Sequence, residues 1–194
     1  DYVPPQEAIE RVPGRVLEAK ANDDSGGRVF RVAILAYGES KNRRRYPKRV
    51  MEAAAALYEG AKAYDHHRSD EELRTSTITG LVGSYRNVVA GPSALEGDLH
   101  LLPSATHTAE ALDASLAAQA AGLTPLVGIS HDVLARYRVD PGSSASRVME
   151  AVEILSVNSA DVVADPAAGG QAIRMVAGGT GADDPKEDQM NLKQ

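Results

Sequence analysis

The chain has 194 residues, 43% of them hydrophobic and 25% charged, which fits a single soluble globular domain able to bury a sizeable core. A formal net charge of −6 argues against nucleic acid as the main partner, and the absence of cysteine excludes a disulfide framework, a thiolate metal site and a cysteine nucleophile. With one Phe and no Trp, the core has to be built from Val, Leu, Ile and Ala.

Residues 1–13, broken by Pro4, Pro5 and Pro13, read as an irregular N-terminal arm. The opening Asp1-Tyr2-Val3-Pro4-Pro5 has neither the basic nor the apolar region of a secretion signal, and the lack of an initiator Met reads as a trimmed or internal start. Residues 14–20 and 28–37 are expected as two strands joined by a hairpin-like turn at Asn22-Asp23-Asp24-Ser25-Gly26-Gly27. A polar, basic loop over 38–47 leads into a helix over 48–59, with Val50, Ala54, Leu57 and Tyr58 on one face and Gly60 as its stop. Residues 61–66 read as a short strand delivering His66, and 67–75 as a charged loop. Strands follow at 76–90 and 94–102, broken by Gly91-Pro92-Ser93. A second helix is expected over 106–121, where Leu112, Leu116 and Ala120 repeat every four residues before Gly122. Residues 126–139 form a strand or strand pair, Gly142-Ser143-Ser144 a turn, and 147–157 and 159–164 the last strands. Beyond about residue 177 the sequence becomes Gly-rich, then charged, and reads as a linker or tail. No segment approaches the roughly 18 consecutive apolar residues of a membrane-spanning helix. The sum is a mixed α+β domain around a closed or wrapped, mostly antiparallel sheet with a few flanking helices.

Three islands carry candidate chemistry. Ala63-Tyr64-Asp65-His66-His67 offers His66 as a general base, because imidazole titrates near neutral pH; His67 is its rival, and a surface histidine at a strand end is the plainer reading. Adjacent residues of a strand point to opposite faces, so the two histidines should not share one metal, and no other cluster has ligand spacing. In Leu126-Val127-Gly128-Ile129-Ser130-His131-Asp132, Ser130 sits in an apolar strand two residues after a glycine, and Asp132 rules out the Gly-x-Ser-x-Gly elbow. In Ser159-Ala160-Asp161-Val162-Val163, Asp161 stands among apolar neighbours, and a buried carboxylate needs a partner such as a histidine donor. Glu153 is the second choice for the acid. The Asp165-Pro166-Ala167-Ala168-Gly169-Gly170 stretch should end that strand as a turn. A nucleophilic serine needs a base, and the base an orienting acid.

Over roughly residues 28–176 these islands, in this order, resemble the capsid-maturation (prohead) proteases of tailed bacteriophages, related in fold to the herpesvirus assembly protease. Asn42-Arg43-Arg44-Arg45-Tyr46-Pro47 is similar to the family's Asn-Gly-Arg-x-Tyr-Pro segment before a helix. Asp65-His66, Leu81-Val82-Gly83, Leu95-Glu96-Gly97-Asp98-Leu99 and Gly128-Ile129-Ser130 follow in family order. The close, Ser159-Ala160-Asp161-Val162-Val163 with Pro166-Ala167-Ala168-Gly169-Gly170, resembles the ending of one branch. His67 stands where Pro is common, and other branches place a Glu at the position of Ser159.

The resemblance implies a herpesvirus-protease-like fold, with a protease domain at 14–176 and a tail at 177–194 linking to a scaffold segment. It implies a serine endopeptidase with His66 as base, Ser130 as nucleophile and Asp161 as third member, and no cofactor or metal. Oxyanion donors would be backbone N–H groups; Arg136 and Arg138 are near only in sequence. The implied substrates are the scaffolding protein, the major capsid protein and the enzyme itself, cut inside the immature shell in the host cytoplasm. A homo-oligomer, such as a dimer, is implied, with no membrane. Two other classes compete: a non-enzymatic capsid assembly factor with the same fold, and a metal-dependent hydrolase.

Overall fold

The structure, a computed structural model, describes residues 6–20 (backbone only), 26–139 and 148–164. Residues 22–25 of the turn expected at 22–27, the turns expected at 142–144 and 165–170 and the tail at 177–194 lie outside the described residues. Strand β1 (Gln6–Lys20) begins inside the expected arm and runs through Pro13. Its first part, Gln6–Gly14, pairs antiparallel with β8 (Gly128–Val139), and its second, Arg15–Lys20, pairs antiparallel with β2 (Val29–Ala36). Pro13, which has no N–H to donate, thus lies where one ladder gives way to the next.

Two short strands, β3 (Gly38–Glu39) and β4 (Arg44–Tyr46), occupy the expected basic loop. Helix α1 (Lys48–Tyr58) buries Val50, Met51, Ala54 and Tyr58, the three-and-four spacing of an amphipathic helix, while Leu57 falls outside that stripe and is exposed. Strand β5 (Lys62–Tyr64) is followed by helix α2 (Asp70–Thr75), in sequence expected as loop. Strands β6 (Leu81–Ala90) and β7 (Ala94–Leu101) form a hairpin, and helix α3 (Thr106–Ala120) buries Leu112 and Leu116. The last strand, β9 (Met149–Val163), is continuous: the break expected near residue 158 is a bulge, with Val157 and Ser159 opposite consecutive residues of β8 and Asn158 the extra one.

The nine strands lie in the order β3-β4-β9-β8-β1-β2-β7-β6-β5, and every pair except β4–β9 is antiparallel. The α+β class and the mostly antiparallel sheet are as expected. The closed barrel is not: the sheet is a half-barrel, and its end strand β5 lies against β9 without a main-chain ladder between them. At that seam the Tyr64 N–H at the end of β5 goes to the Asp161 side chain on β9, at 3.3 Å from Oδ1, instead of to a main-chain carbonyl. The core fills the concave side, and five tyrosines as well as aliphatic residues complete it: Tyr46, Tyr58, Tyr64, Tyr85 and Tyr137 are all fully buried.

Candidate functional site

The site forms along the seam between β5 and β9. On β8, Ile129, Val133, Ala135 and Tyr137 belong to the core. The alternation of a strand therefore puts Ser130 and Asp132 on the other face. Both are nonetheless buried, at 2% and 1% exposure. Ser130 stands directly opposite Asp161 across the β8–β9 pair, and Asp132 opposite Ser159. Directly opposed residues of an antiparallel pair share a face with Cβ atoms about 5 Å apart, so the serine and the carboxylate form one rung.

Asp161 is 1% exposed and accepts two hydrogen bonds. Its Oδ1 takes the Tyr64 backbone N–H at 3.3 Å, and its Oδ2 is 3.1 Å from His67 Nδ1. An ionised carboxylate only accepts, so Nδ1 carries the proton and donates it. A neutral His67 then has a bare lone pair on Nε2, the tautomer a general base requires. Arg68 ties the segment after β5 both to β5 itself and to β9. The Arg68 guanidinium lies 4.2 Å over the Tyr64 ring, and its Nη2 donates to the Asn158 carbonyl at 3.5 Å. From the core side, Tyr85 donates its hydroxyl to the Ala160 carbonyl at 2.9 Å, fixing the residue before Asp161.

His66 is engaged elsewhere. Its Nδ1 is 2.8 Å from Asp65 Oδ1 and its Nε2 is 3.0 Å from Glu72 Oε1. Both contacts raise its pKa, Asp65 more than Glu72. The structure thus sets Ser130 opposite Asp161 and His67 against the same carboxylate, and leaves the expected base, His66, in a separate pair of carboxylate contacts. Strand alternation gives no guide to the choice, because β5 ends at Tyr64 and both histidines lie beyond it. Glu153 lies along β9 on the exposed surface, paired with Arg136 at 2.7 Å, and Arg138 pairs with Glu150 at 2.5 Å.

Three further polar residues, given no role from the sequence, are buried beside the site. His131, next to Ser130 but on the core face, is fully buried, with Nδ1 2.5 Å from the Tyr58 hydroxyl and its ring edge-on to Tyr46. Burial, and after it the neighbouring His67, pushes its pKa down to about 3, so it is neutral in the fold. Asp132 accepts from the Asn158 side chain at 3.4 Å, and the Ser159 hydroxyl opposite it is buried with no hydrogen-bond partner among the described residues. Nothing in a single sequence separates such buried polar groups from surface ones. Among the described residues no group of three His, Asp or Glu side chains is placed to hold a metal ion.

No protein-family model matches the chain, and no curated protein matches it. Among solved structures, the bacteriophage T4 capsid assembly protease gp21 is similar over 84% of this chain and 99% of its own, at 16% identity and a TM-score of 0.49.

Proposed function

We propose that the chain is a serine endopeptidase of viral capsid maturation, with Ser130 as nucleophile, His67 as general base and Asp161 as the acid that orients it. The observation that carries the chemistry is the His67 Nδ1 contact, at 3.1 Å, with a buried carboxylate standing opposite Ser130. A carboxylate held out of water next to an imidazole fixes its tautomer and stabilises the imidazolium that forms when the base takes a proton. On this reading the Ser130 Oγ attacks the scissile carbonyl carbon while its proton passes to His67 Nε2. The tetrahedral intermediate then collapses, the amine leaves with that proton, and water releases the acyl group by the same steps in reverse. Backbone N–H groups serve the oxyanion.

The substrate class rests on the order of the sequence motifs, which supports the scaffolding protein, the major capsid protein and the chain itself as substrates within the immature shell. The same resemblance implies a homo-oligomer. The test is intact mass over time of the chain co-expressed with its neighbouring scaffold and capsid proteins, wild type beside Ser130→Ala. Discrete fragments that vanish in the variant are expected. Identical masses in both would remove the catalytic role of Ser130 and leave the fold as a capsid assembly factor.

A further inference from the structure

We propose that His66 is a positioning residue: by bridging Asp65 and Glu72 it fixes the turn in which His67 follows it, and so holds the general base on Asp161. The inference rests on the triad reading above. Both ring nitrogens of His66 face carboxylate oxygens, 2.8 Å and 3.0 Å away. Only an imidazolium has a donor for each. A ring so engaged has no lone pair to offer a serine, which separates its role from that of His67.

The bridge closes a ring of contacts around His67 and Arg68. Glu72 Oε2 accepts from the Ser69 backbone N–H at 2.8 Å and from the Ser69 hydroxyl at 2.9 Å, while that hydroxyl in turn accepts from the Glu72 N–H at 3.3 Å. This reciprocal pair caps α2. Asp65 on one side and Ser69 on the other are therefore joined through His66 and Glu72, with His67 and Arg68 held between them. At the third side lies Gly80, whose carbonyl accepts the Asp65 N–H at 2.9 Å. A Cβ on Gly80 would collide with His66 Cε1 and Nδ1 and with Asp65 Oδ1, so the imidazole is seated directly on that backbone. The charged groups facing His66 are thus Asp65 just after β5 and Glu72 from α2, while Gly80, just before β6, presents backbone.

The energetics separate a positioning role from a stabilising one. The side chains of Asp65, His66 and Glu72 are 50%, 37% and 28% exposed, and ion pairs this wet contribute little to stability. Placement of a catalytic group matters far more, since a displacement of about 1 Å can cost on the order of 100-fold in rate.

The test is the rate at which a fluorophosphonate labels Ser130 in the full chain, followed by intact mass across pH, with melting temperature recorded for each variant. His66→Ala is expected to label about 10–100-fold more slowly with little change in melting temperature. His66→Arg, which can donate to both carboxylates and cannot act as a base, is expected to recover the rate to within a few-fold. The alkaline limb that His66 deprotonation gives the wild-type profile should vanish in His66→Arg, because guanidinium does not titrate there. Glu72→Gln keeps its one acceptor oxygen for the Ser69 cap while turning an NH2 toward His66, and should fall between wild type and His66→Ala. A folded His66→Arg as slow as His66→Ala, or one that keeps the alkaline limb, overturns the positioning role. His67→Ala separates this from the parent reading: no labelling in His67→Ala keeps the triad whatever His66 does, and labelling that persists there removes the triad and the proposal with it.

Discussion

Asp161→Asn is the most informative single change, because the structure shows what each oxygen does. The side chain is nearly isosteric, and an amide oxygen at the Oδ1 position still accepts the Tyr64 N–H. At the Oδ2 position an NH2 group now faces His67 Nδ1, 3.1 Å away in the native chain. Two donors cannot face each other, so Nδ1 must become the acceptor and the imidazole proton moves to Nε2. The base then meets Ser130 already protonated. Loss of the correct tautomer in a Ser-His-Asp arrangement costs on the order of 10⁴ in rate, which is about 5 kcal/mol of transition-state stabilisation. The cost in folding is smaller: hydrogen bonds to a charged group contribute roughly 1.5–3 kcal/mol, and one of the two persists in neutral form. Fluorophosphonate labelling of Ser130 reads the first effect, urea unfolding the second, and imidazole ¹⁵N shifts the tautomer directly. A folded Asn variant that labels within about tenfold of wild type, or retains the Nδ1–H tautomer, would refute the reasoning.

The capping box of α2 sets a pH window. The Ser69 backbone N–H above all, with His66 and the Ser69 hydroxyl, holds Glu72 down at about 2, so its contribution is complete above the ordinary 4.5 and is lost as pH falls toward 2. Asp65 and Glu72 raise the pKa of His66, so its contribution is complete below the ordinary 6.5 and is lost as pH rises through the raised value. Amide exchange, corrected for intrinsic rate, should show residues 70–75 most protected between those limits, and protection that keeps rising at alkaline pH counts against the bridge. Gly80→Ala puts an L side chain at φ +71, a cost of about 1–2 kcal/mol, and pushes the His66 ring off its seat. Its melting temperature should drop by several degrees and Ser130 labelling should slow; an unchanged protein would show that His66 does not rest on Gly80. His131 resists protonation down to about 3 where the unfolded chain takes a proton near 6.5, so it withdraws stability as pH falls through that range, by an amount on the order of a few kcal/mol. His131→Phe leaves the Tyr58 hydroxyl unpaired and should lose about 1–3 kcal/mol at pH 7 while flattening the acid limb, and an acid limb as steep as the wild type's would refute the assignment.

What the sequence made legible follows its periodicity. Helix α1 and its stop were readable because Val50, Ala54 and Tyr58 recur at helical spacing before a glycine at φ +76. Ser130 and Asp161 were singled out as polar residues in apolar strands, and the register makes them opposite neighbours. Helix α2 was missed although Ser69-Asp70-Glu71-Glu72 has the spacing of a capping box, because its six residues bury no side chain and so leave no apolar stripe. Pro13 was given the weight of a strand breaker, yet a strand whose partner changes at that point tolerates a missing donor. The choice between His66 and His67 was not legible, since it depends on which carboxylate each ring meets after β5 has ended. Those carboxylates come from residues 65, 72 and 161, and only the fold brings the last of them near.

The open seam and the candidate site have one physical origin. A strand pair is held by main-chain donors meeting main-chain acceptors, and a barrel closes when that pairing runs all the way round. Between β5 and β9 it does not, and the Tyr64 N–H finds a side-chain carboxylate instead of a carbonyl. A carboxylate has two oxygens, so satisfying the backbone with Oδ1 leaves Oδ2 for an imidazole. Were the seam zipped as an ordinary ladder, Asp161 would have no backbone donor to anchor it, and its burial at 1% exposure would lack half its compensation. The missing ladder therefore supplies the anchored, desolvated acid that the proposed chemistry needs, where the chain leaving β5 with the histidine meets the strand opposite the serine.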